Sequence, residues 1–165
     1  MNTNKDLPYR LGVGAVLLNT RGLVLVAKRI DTPGEAWQMP QGGIDKDENP
    51  ERAVMRELKE EVGTDNAEII AASDGWLHYD LPKKLRRTLW KGRFRGQKQK
   101  WYAMRYLGTD DEIDLQADKH PEFSHWRWVA LDQVVDLIVP FKRDLYQQIV
   151  TEFSAVAQNL VDKGA

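Results

Sequence analysis

The feature that most constrains the fold of this chain is a short helix whose two ends are marked in the sequence. Asn49 and Pro50 predict its start, because asparagine caps helices and proline suits the first helical position. Gly63 predicts its end, since glycine readily takes the left-handed conformation that terminates helices. The apolar stripe between these ends consists of Val54, Leu58 and Val62. So narrow a stripe buries one side of the helix against a core.

Three glutamates of this helix carry the strongest chemical signal in the sequence. Glu57, Glu60 and Glu61 lie at positions i, i+3 and i+4, so their carboxylates leave one side of the helix. At about 100° per residue, Glu61 falls at the margin of the apolar stripe, where burial makes repulsion between like charges costlier. Mg²⁺ or Mn²⁺, which prefer oxygen ligands, would relieve this repulsion. The alternative is a solvated acidic face with Arg56 and Lys59 as neighbours.

The pattern along the rest of the chain predicts one α/β or α+β domain. Two apolar runs, residues 12–18 and 23–27, flank a glycine-containing turn and predict an antiparallel hairpin. Residues 31–49 are rich in glycine and proline and predict mostly loop. Further strands are predicted around residues 68–72, 100–107 and 126–129, and helices around residues 131–138 and 142–160. Strands interleaved with helices in this way are typical of α/β folds.

Length and composition exclude several classes of protein. The 165 residues fit a single domain. The absence of cysteine excludes disulfides, thiolate metal sites and a cysteine nucleophile. No apolar run approaches the ~18 residues that a membrane-spanning helix needs, and residues 1–6 do not resemble a signal peptide. We therefore expect a cytoplasmic protein that does not associate with membranes.

The residues around the acidic helix resemble the Nudix box of the Nudix hydrolases. The matching positions are Gly42, Glu48, Arg56, Glu57, Leu58, Glu60, Glu61 and Gly63. One position departs from the family pattern, because Thr64 stands where an aliphatic residue is usual. The resemblance implies an α/β/α sandwich with a mixed β-sheet, a single domain over residues 1–165 with its core at about residues 9–153.

The resemblance also implies the roles of the box residues. In this family the box holds divalent cations against a diphosphate, while water attacks phosphorus. The implied metal ligands are Gly42, Glu57, Glu60 and Glu61, together with Glu122 from a distant loop. Arg56 would pair with Glu48 and orient the acidic cluster. One of the helix glutamates would take the proton of the attacking water.

Outside the box, the chain resembles a narrower group of Nudix hydrolases. This group comprises bacterial RNA 5′-pyrophosphohydrolases and plant-type diadenosine tetraphosphate hydrolases, and the matching stretches are residues 37–43, 75–82, 96–101, 121–123 and 141–143. The substrate contacts it implies are Arg10, Arg29, Gln41, Tyr79, Lys83, Gln97, Val139, Phe141 and Lys142. Within that set, Arg29 and Phe141 would sandwich a base, although Phe141 could instead be a hydrophobic staple of the helix that follows it.

A basic segment supports a substrate of several negative charges. Whereas the whole chain carries 24 Lys+Arg against 25 Asp+Glu, residues 83–100 contain no acid. The basic residues there are Lys83, Lys84, Arg86, Arg87, Lys91, Arg93, Arg95, Lys98 and Lys100. Basic side chains attract polyphosphates, and interleaved aromatic residues can stack on bases. The alternative is a solvated basic loop.

Together these features predict an Mg²⁺-dependent hydrolase, in which Mn²⁺ or another divalent cation could substitute. Its expected substrates are the 5′-triphosphate end of RNA, from which it would remove pyrophosphate, and dinucleoside polyphosphates such as diadenosine tetraphosphate. Two alternatives stay open. One is a Nudix hydrolase of a smaller nucleotide, such as a nucleoside diphosphate sugar or an oxidised triphosphate. The other is a non-catalytic Nudix-fold module that binds a nucleotide or an RNA end.

Overall fold

A computed structural model describes residues 7–32 and 34–164 of the chain. The first six residues, on which the expectation of no signal peptide rests, lie outside the described residues. No helix within the described ranges has both the length and the apolarity needed to cross a membrane.

A mixed sheet of eight strands forms the centre of the described structure. The strands are β1 (Tyr9–Leu18), β2 (Val24–Arg29), β3 (Trp37–Gln38), β4 (Gln41–Gly43), β5 (Ala67–Ala72), β6 (Leu77–Asp80), β7 (Gly96–Tyr106) and β8 (Phe123–Val129). The central order is β3-β2-β1-β7-β5, with β4 beside β1, β6 beside β7 and β8 beside β2. The long central strands β1 and β7 run parallel, and the other pairs run antiparallel.

Helices cover both faces of this sheet. They are α1 (Pro50–Val62), α2 (Lys83–Thr88), α3 (Val134–Leu137) and α4 (Arg143–Gly164). Because successive strand residues point to opposite faces, Val13, Ala15 and Leu17 of β1 pack with α1, whereas Val16 and Leu18 pack with α3 and α4. The predicted α/β/α sandwich with a mixed sheet is therefore confirmed.

Helix α1 has the ends that the sequence predicts. The Asn49 side chain accepts a hydrogen bond from the Arg52 backbone N–H (2.8 Å), and Pro50 is the first helical residue. Gly63 adopts a left-handed conformation (φ +82°) and its N–H donates to the carbonyl of Lys59 (3.0 Å). These caps fix where the helix begins and ends, and therefore which of its side chains reach the pocket described below.

Other elements differ from the sequence expectations. The β1–β2 hairpin forms, but it pairs only at Leu18 and Val24 beside the turn. Farther along, β4 pairs with β1, and β3 and β8 pair with β2. The predicted loop over residues 31–49 thus contains two short strands. Strand β7 begins at Gly96 rather than near residue 100. The apolar pattern misses its first part, because the residues buried there include Gln97 and Gln99.

Substituting Gly63 by alanine should destabilise the fold. Its left-handed φ disfavours any side chain, and a Cβ there would also collide with the backbone of Asp114. We expect the free energy of unfolding to fall by at least about 1 kcal/mol, measured by urea denaturation. Gly75→Ala is the matched control, because nothing lies within 4 Å of a Cβ at that position. Equal losses for the two variants would contradict this account of the helix end.

Candidate active site

A pocket of about 570 Å³ opens beside the end of α1. Its walls come from α1, from strands β1, β2, β3, β4, β6 and β7, from α2 and the residues on either side of it, and from the segments that precede β8 and α4. It contains carboxylates, cations, amides and apolar side chains. This mixture suits a ligand that is highly charged and also has an apolar part.

The acidic wall is formed by Glu57 and Glu61 of α1 and by Glu122 of the segment before β8. Glu61 is only 5% exposed, and its Oε2 accepts a hydrogen bond from the Gln41 N–H (3.1 Å). Glu57 packs against Gly42, where a Cβ would overlap its carboxylate. Glycine at position 42 therefore allows the backbone of β4 to approach the acids of α1.

Burial changes the protonation of these two acids. It raises the pKa of Glu57 from 4.5 to about 7, an effect that Glu60 and Glu122 reinforce and Arg56 opposes. Burial likewise raises the pKa of Glu61 well above its usual value, and the charges of Glu122 and Glu57 add to this. The site disfavours the charged form of both carboxylates and would be stabilised by a cation.

Arg56 connects the acidic helix to the loop that precedes it. Its Nε and Nη2 donate to the two carboxylate oxygens of Glu48 (2.8 and 2.9 Å), and Nη2 also donates to the Gly43 carbonyl (2.9 Å). Its Nη1 donates to Glu57 (2.9 Å) and to Glu60 (3.2 Å). The hydrogen bonds from Arg56 to Glu48 lower the pKa of the Glu48 carboxyl to about 2. Arg56 thus holds the Glu57 carboxylate in one orientation.

Glu60 lies outside the pocket that Glu57 and Glu61 line. Its side chain is 45% exposed and does not line the pocket. In the described ranges, no group of three or more Asp, Glu, His or Cys side chains is arranged to hold a metal ion. The structure therefore brings Glu57, Glu61 and Glu122 to one pocket, but it does not gather all the predicted ligands around one point.

Arg10 faces the acids from β1. Its guanidinium carbon lies 5.0 Å from the centre of the Trp90 ring, and a side chain at Gly43 would overlap the guanidinium. No ion pair between Arg10 and a described carboxylate lies within 4.0 Å. The aromatic ring therefore positions this cation without neutralising its charge.

Two further cations line the pocket near Phe141. Arg29 makes a two-pronged ion pair with Asp31, at 2.8 Å for each hydrogen bond. Lys142 Nζ lies 4.9 Å from the centre of the Tyr79 ring. Burial, reinforced by the nearby charge of Arg29, lowers the pKa of Lys142 from 10.5 to about 8. Asp31 thus holds Arg29, and the Tyr79 ring holds Lys142, within the lining of the pocket.

Most of the remaining predicted contacts also line the pocket. They are Gln41, Gln97, Tyr79, Val139 and Phe141. The Phe141 ring lies 5.9 Å from the Tyr79 ring and packs against the core on the α4 side. It therefore lines the pocket and packs beside the following helix at once. Lys83, the first residue of α2, is exposed and does not line the pocket.

The sequence reasoning missed several residues of the pocket. Leu85 and Leu89 line it from the basic segment, where the sequence indicated a role only for charged and aromatic residues, and Trp90, one of those aromatic residues, lines it as well. Trp90 has a left-handed backbone (φ 51°) that bulky residues rarely adopt. A leucine pair at i and i+4 was visible in the sequence, but its position over the pocket depends on tertiary packing. Arg86, a basic residue of the same segment, instead donates a hydrogen bond from its guanidinium to the Leu81 carbonyl (2.8 Å).

The sandwich and the carboxylate-bearing helix at its pocket define a domain of the Nudix class. The profile of the NUDIX domain matches residues 8–149, and the chain belongs to the Nudix family. Two similar relatives are called RNA pyrophosphohydrolase. The one from Rhodospirillum rubrum is 58% identical over 151 residues, covering 92% of this chain and 90% of the relative. The one from Rickettsia conorii is 50% identical over 153 residues, covering 93% and 94%.

Solved structures share the fold at lower identity. A C. elegans Ap4A hydrolase binary complex matches with a TM-score of 0.65 and 20% identity, covering 91% of this chain and 98% of that one. An E. coli dihydroneopterin triphosphate pyrophosphohydrolase matches with the same TM-score and identity, covering 87% and 98%. At this identity the two structures show the fold alone.

Nudix hydrolases generally use divalent metal ions, and the donors of this pocket fit such an ion. Glu57 and Glu61 are oxygen donors whose pKa values are raised chiefly by burial, so a bound cation would stabilise their charged forms. Gly42 also lines the pocket, and its lack of a side chain lets the backbone of β4 approach the Glu57 carboxylate. Hard cations such as Mg²⁺ commonly take one or two carboxylates and complete their coordination with water and phosphate oxygens.

Glu57→Gln should stabilise the metal-free protein at neutral and alkaline pH. Because the folded pKa of about 7 exceeds the unfolded value of 4.5, the unfolded chain loses this proton first. The stability associated with Glu57 is therefore full below pH 4.5 and is lost as the pH rises through about 7. With chelator at pH 8, we expect the variant to gain about 1–3 kcal/mol in unfolding free energy. At pH 4 the difference should vanish.

Glu51→Gln is the matched control for this measurement, because Glu51 is an exposed acid in the first turn of the same helix. It should show no comparable gain at pH 8. A Glu57→Gln variant no more stable than wild type at that pH would show that Glu57 is not held in a desolvated position.

Proposed function

We propose that this protein is an Mg²⁺-dependent pyrophosphohydrolase that acts on the 5′-triphosphate end of RNA and also on dinucleoside polyphosphates. The observation that carries the proposal is that Glu61, which is buried, and Glu57, whose side chain is 14% exposed, line one pocket together with Arg10 and Lys142, cations that make no ion pair with a described carboxylate. The carboxylates suit a metal ion, and the cations suit the phosphates that accompany it. The carboxylates alone would indicate only a metal site, and the cations alone would indicate only an anion site.

Support for magnesium comes from the number and type of donors. Glu61 is buried and Glu57 is largely buried, both are oxygen donors, and the chain has no cysteine. Mg²⁺ is usually held by one or two carboxylates with substrate phosphates and water, rather than by a cage of protein ligands. Mn²⁺ favours similar ligands and could substitute. When bound, the cation would screen the phosphate charge and lower the pKa of the attacking water.

The residues of the chain have separate tasks in the proposed reaction. Arg10 and Gln97 bind phosphate oxygens, and Arg29 with Phe141 holds a base. Water attacks phosphorus, one P–O bond of the anhydride breaks, and a glutamate of α1 accepts the proton. RNA is left with a 5′-monophosphate as pyrophosphate departs. By the same chemistry, diadenosine tetraphosphate would give ATP and AMP.

Two observations support the 5′-triphosphate end of RNA as a substrate. The relatives with 50–58% identity are named RNA pyrophosphohydrolase. Beside the pocket, α2 and the turn after it carry exposed basic residues, namely Lys83, Lys84, Arg87, Lys91 and Arg93. A basic surface next to the pocket would attract the phosphates of nucleotides that follow the first.

The proposal is tested by incubating the purified protein and Mg²⁺ with 5′-triphosphorylated RNA and, separately, with diadenosine tetraphosphate. We expect pyrophosphate and 5′-monophosphorylated RNA from the first, and ATP with AMP from the second. Glu57→Gln should lower kcat by about 100-fold or more while still binding RNA, because one metal donor is lost. Glu51→Gln should behave as wild type. Failure to cleave either substrate at any Mg²⁺ or Mn²⁺ concentration would favour a binding module.

Phosphate affinity should fall as the pH rises through about 8. The pKa of Lys142 is lowered to about that value, so above it the free protein loses a pocket cation. Lys142→Arg keeps its charge over this range. The ratio of wild-type to Lys142→Arg affinity for inorganic tripolyphosphate should drop several-fold between pH 7 and pH 9.5, measured by calorimetry. A constant ratio would show that Lys142 does not contact the phosphates, and Lys46→Arg, at an exposed position, is the control.

A further inference from the structure

A row of side-chain amides connects the buried core to the pocket. Trp101 Nε1 donates to Gln99 Oε1 (2.9 Å), and Gln99 Nε2 donates to Oε1 of both Gln97 (2.6 Å) and Gln41 (2.7 Å). Gln97 and Gln41 line the pocket, whereas Gln99 and Trp101 do not. Gln99 is 1% exposed and Trp101 is fully buried. We call these four residues the amide relay.

Trp101 sets the direction of every hydrogen bond in the amide relay. An indole N–H can only donate, so the Gln99 atom that it meets must be the amide oxygen. The amide nitrogen of Gln99 then faces Gln97 and Gln41, and each of these must turn its oxygen toward Gln99. Their own amide nitrogens are consequently left for partners outside the relay.

The structure keeps Trp101 in this position by close packing. Its ring lies on β1 at Gly14, where a Cβ would overlap the ring, and it meets the Tyr146 ring edge-on at 6.0 Å. A ring confined on two sides has little freedom to turn its N–H away from Gln99. The core therefore fixes the direction of the relay at Gln99, and the Tyr79 hydroxyl, which donates to Gln97 Oε1 (3.4 Å), favours the same orientation of Gln97.

Gln97 ends the relay with an unused donor. Its Nε2 is buried and has no hydrogen-bond partner within the described parts of the chain, and it lies close to the backbone of Gly12. Gln97 as a whole is 1% exposed. A buried donor without an acceptor is costly, so its presence at a pocket wall indicates that a ligand oxygen belongs there.

We propose that Gln99 and Trp101 are positioning residues that hold Gln97 and Gln41 with their N–H groups toward the phosphate chain. The identity of that chain as substrate depends on the function proposed above. Phosphate oxygens only accept hydrogen bonds, so an amide turned the other way would present an oxygen that repels them. The relay prevents this reversed orientation before the substrate arrives.

The first test replaces Gln99 by methionine, which has a similar length but no amide. We expect KM for triphosphorylated RNA and Kd for inorganic tripolyphosphate to rise about tenfold, with kcat within about twofold of wild type. Gln147→Met, at an exposed glutamine of α4, should change neither. An unchanged KM and Kd in Gln99→Met would overturn the inference.

A second variant separates positioning from stability, because Gln99→Met also leaves the Trp101 N–H unpaired. Adding Trp101→Phe removes that N–H, so Gln99→Met/Trp101→Phe should lose less to unpaired polar burial. If the relay orients Gln97 and Gln41, the raised KM and Kd persist in the double variant even where thermal stability recovers. If Gln99 only supports the fold, KM and Kd return toward wild type together with stability, and the inference is wrong.

The last test asks whether the effect of Gln99→Met on Kd depends on the presence of Gln97 and Gln41. In a Gln97→Leu/Gln41→Leu background, Gln99→Met should add less than about twofold to Kd, because the groups it orients are gone. A full tenfold addition would contradict the relay. These tripolyphosphate measurements stand even if wild type cleaves no RNA, so failure of the proposed function and failure of the relay are distinguishable.

Discussion

The burial of two like charges on one turn of α1 is the interaction on which the pocket depends. Glu57 and Glu61 repel each other and lose hydration, which disfavours folding unless neighbouring groups compensate. The Gln41 N–H compensates by donating to Glu61, and Arg56 compensates by donating to Glu57. Gly42 leaves room for the Glu57 carboxylate because it has no side chain. Gln41 and Gly42 lie in β4 and Arg56 lies in α1, so the packing of β4 against α1 holds the two carboxylates where water is scarce.

Local signals explain why this part of the structure could be predicted from the sequence. The Asn49 cap and the Gly63 terminator act through hydrogen bonds within a few residues, so the helix and its acidic side are encoded by the chain nearby. The pairing of Arg56 with Glu48 spans eight residues, and it was inferred only through the family resemblance. Placing Glu57 in the pocket and Glu60 outside it depends on β4, whose position no local pattern specifies.

Interactions between distant parts of the chain were harder to predict. Strand β7 starts with buried glutamines rather than apolar residues, and Gln99 meets Gln41 across 58 positions. Trp90, in the middle of the basic segment, lies against the guanidinium of Arg10, and the sequence did not indicate that contact. Asp31 was not considered, although its pairing with Arg29 is local. Each of these polar side chains is held by a specific partner, and hydrophobic periodicity carries no record of such partners.

Within the part of the chain that the structure describes, two cations of the pocket, Arg10 and Lys142, make no ion pair with its carboxylates, whereas Arg29 pairs with Asp31 and Arg56 pairs with Glu57. Arg10 rests on an indole ring and Lys142 on a phenol ring, and no ion pair joins either cation to Glu57 or Glu61 in the described residues. Direct pairing would satisfy these groups but would leave little for a ligand to gain. Aromatic faces hold the cations while keeping much of their field available. A ligand that combines a metal ion with a phosphate chain would satisfy the acids and the cations simultaneously, whereas a metal or an anion alone would satisfy only one set.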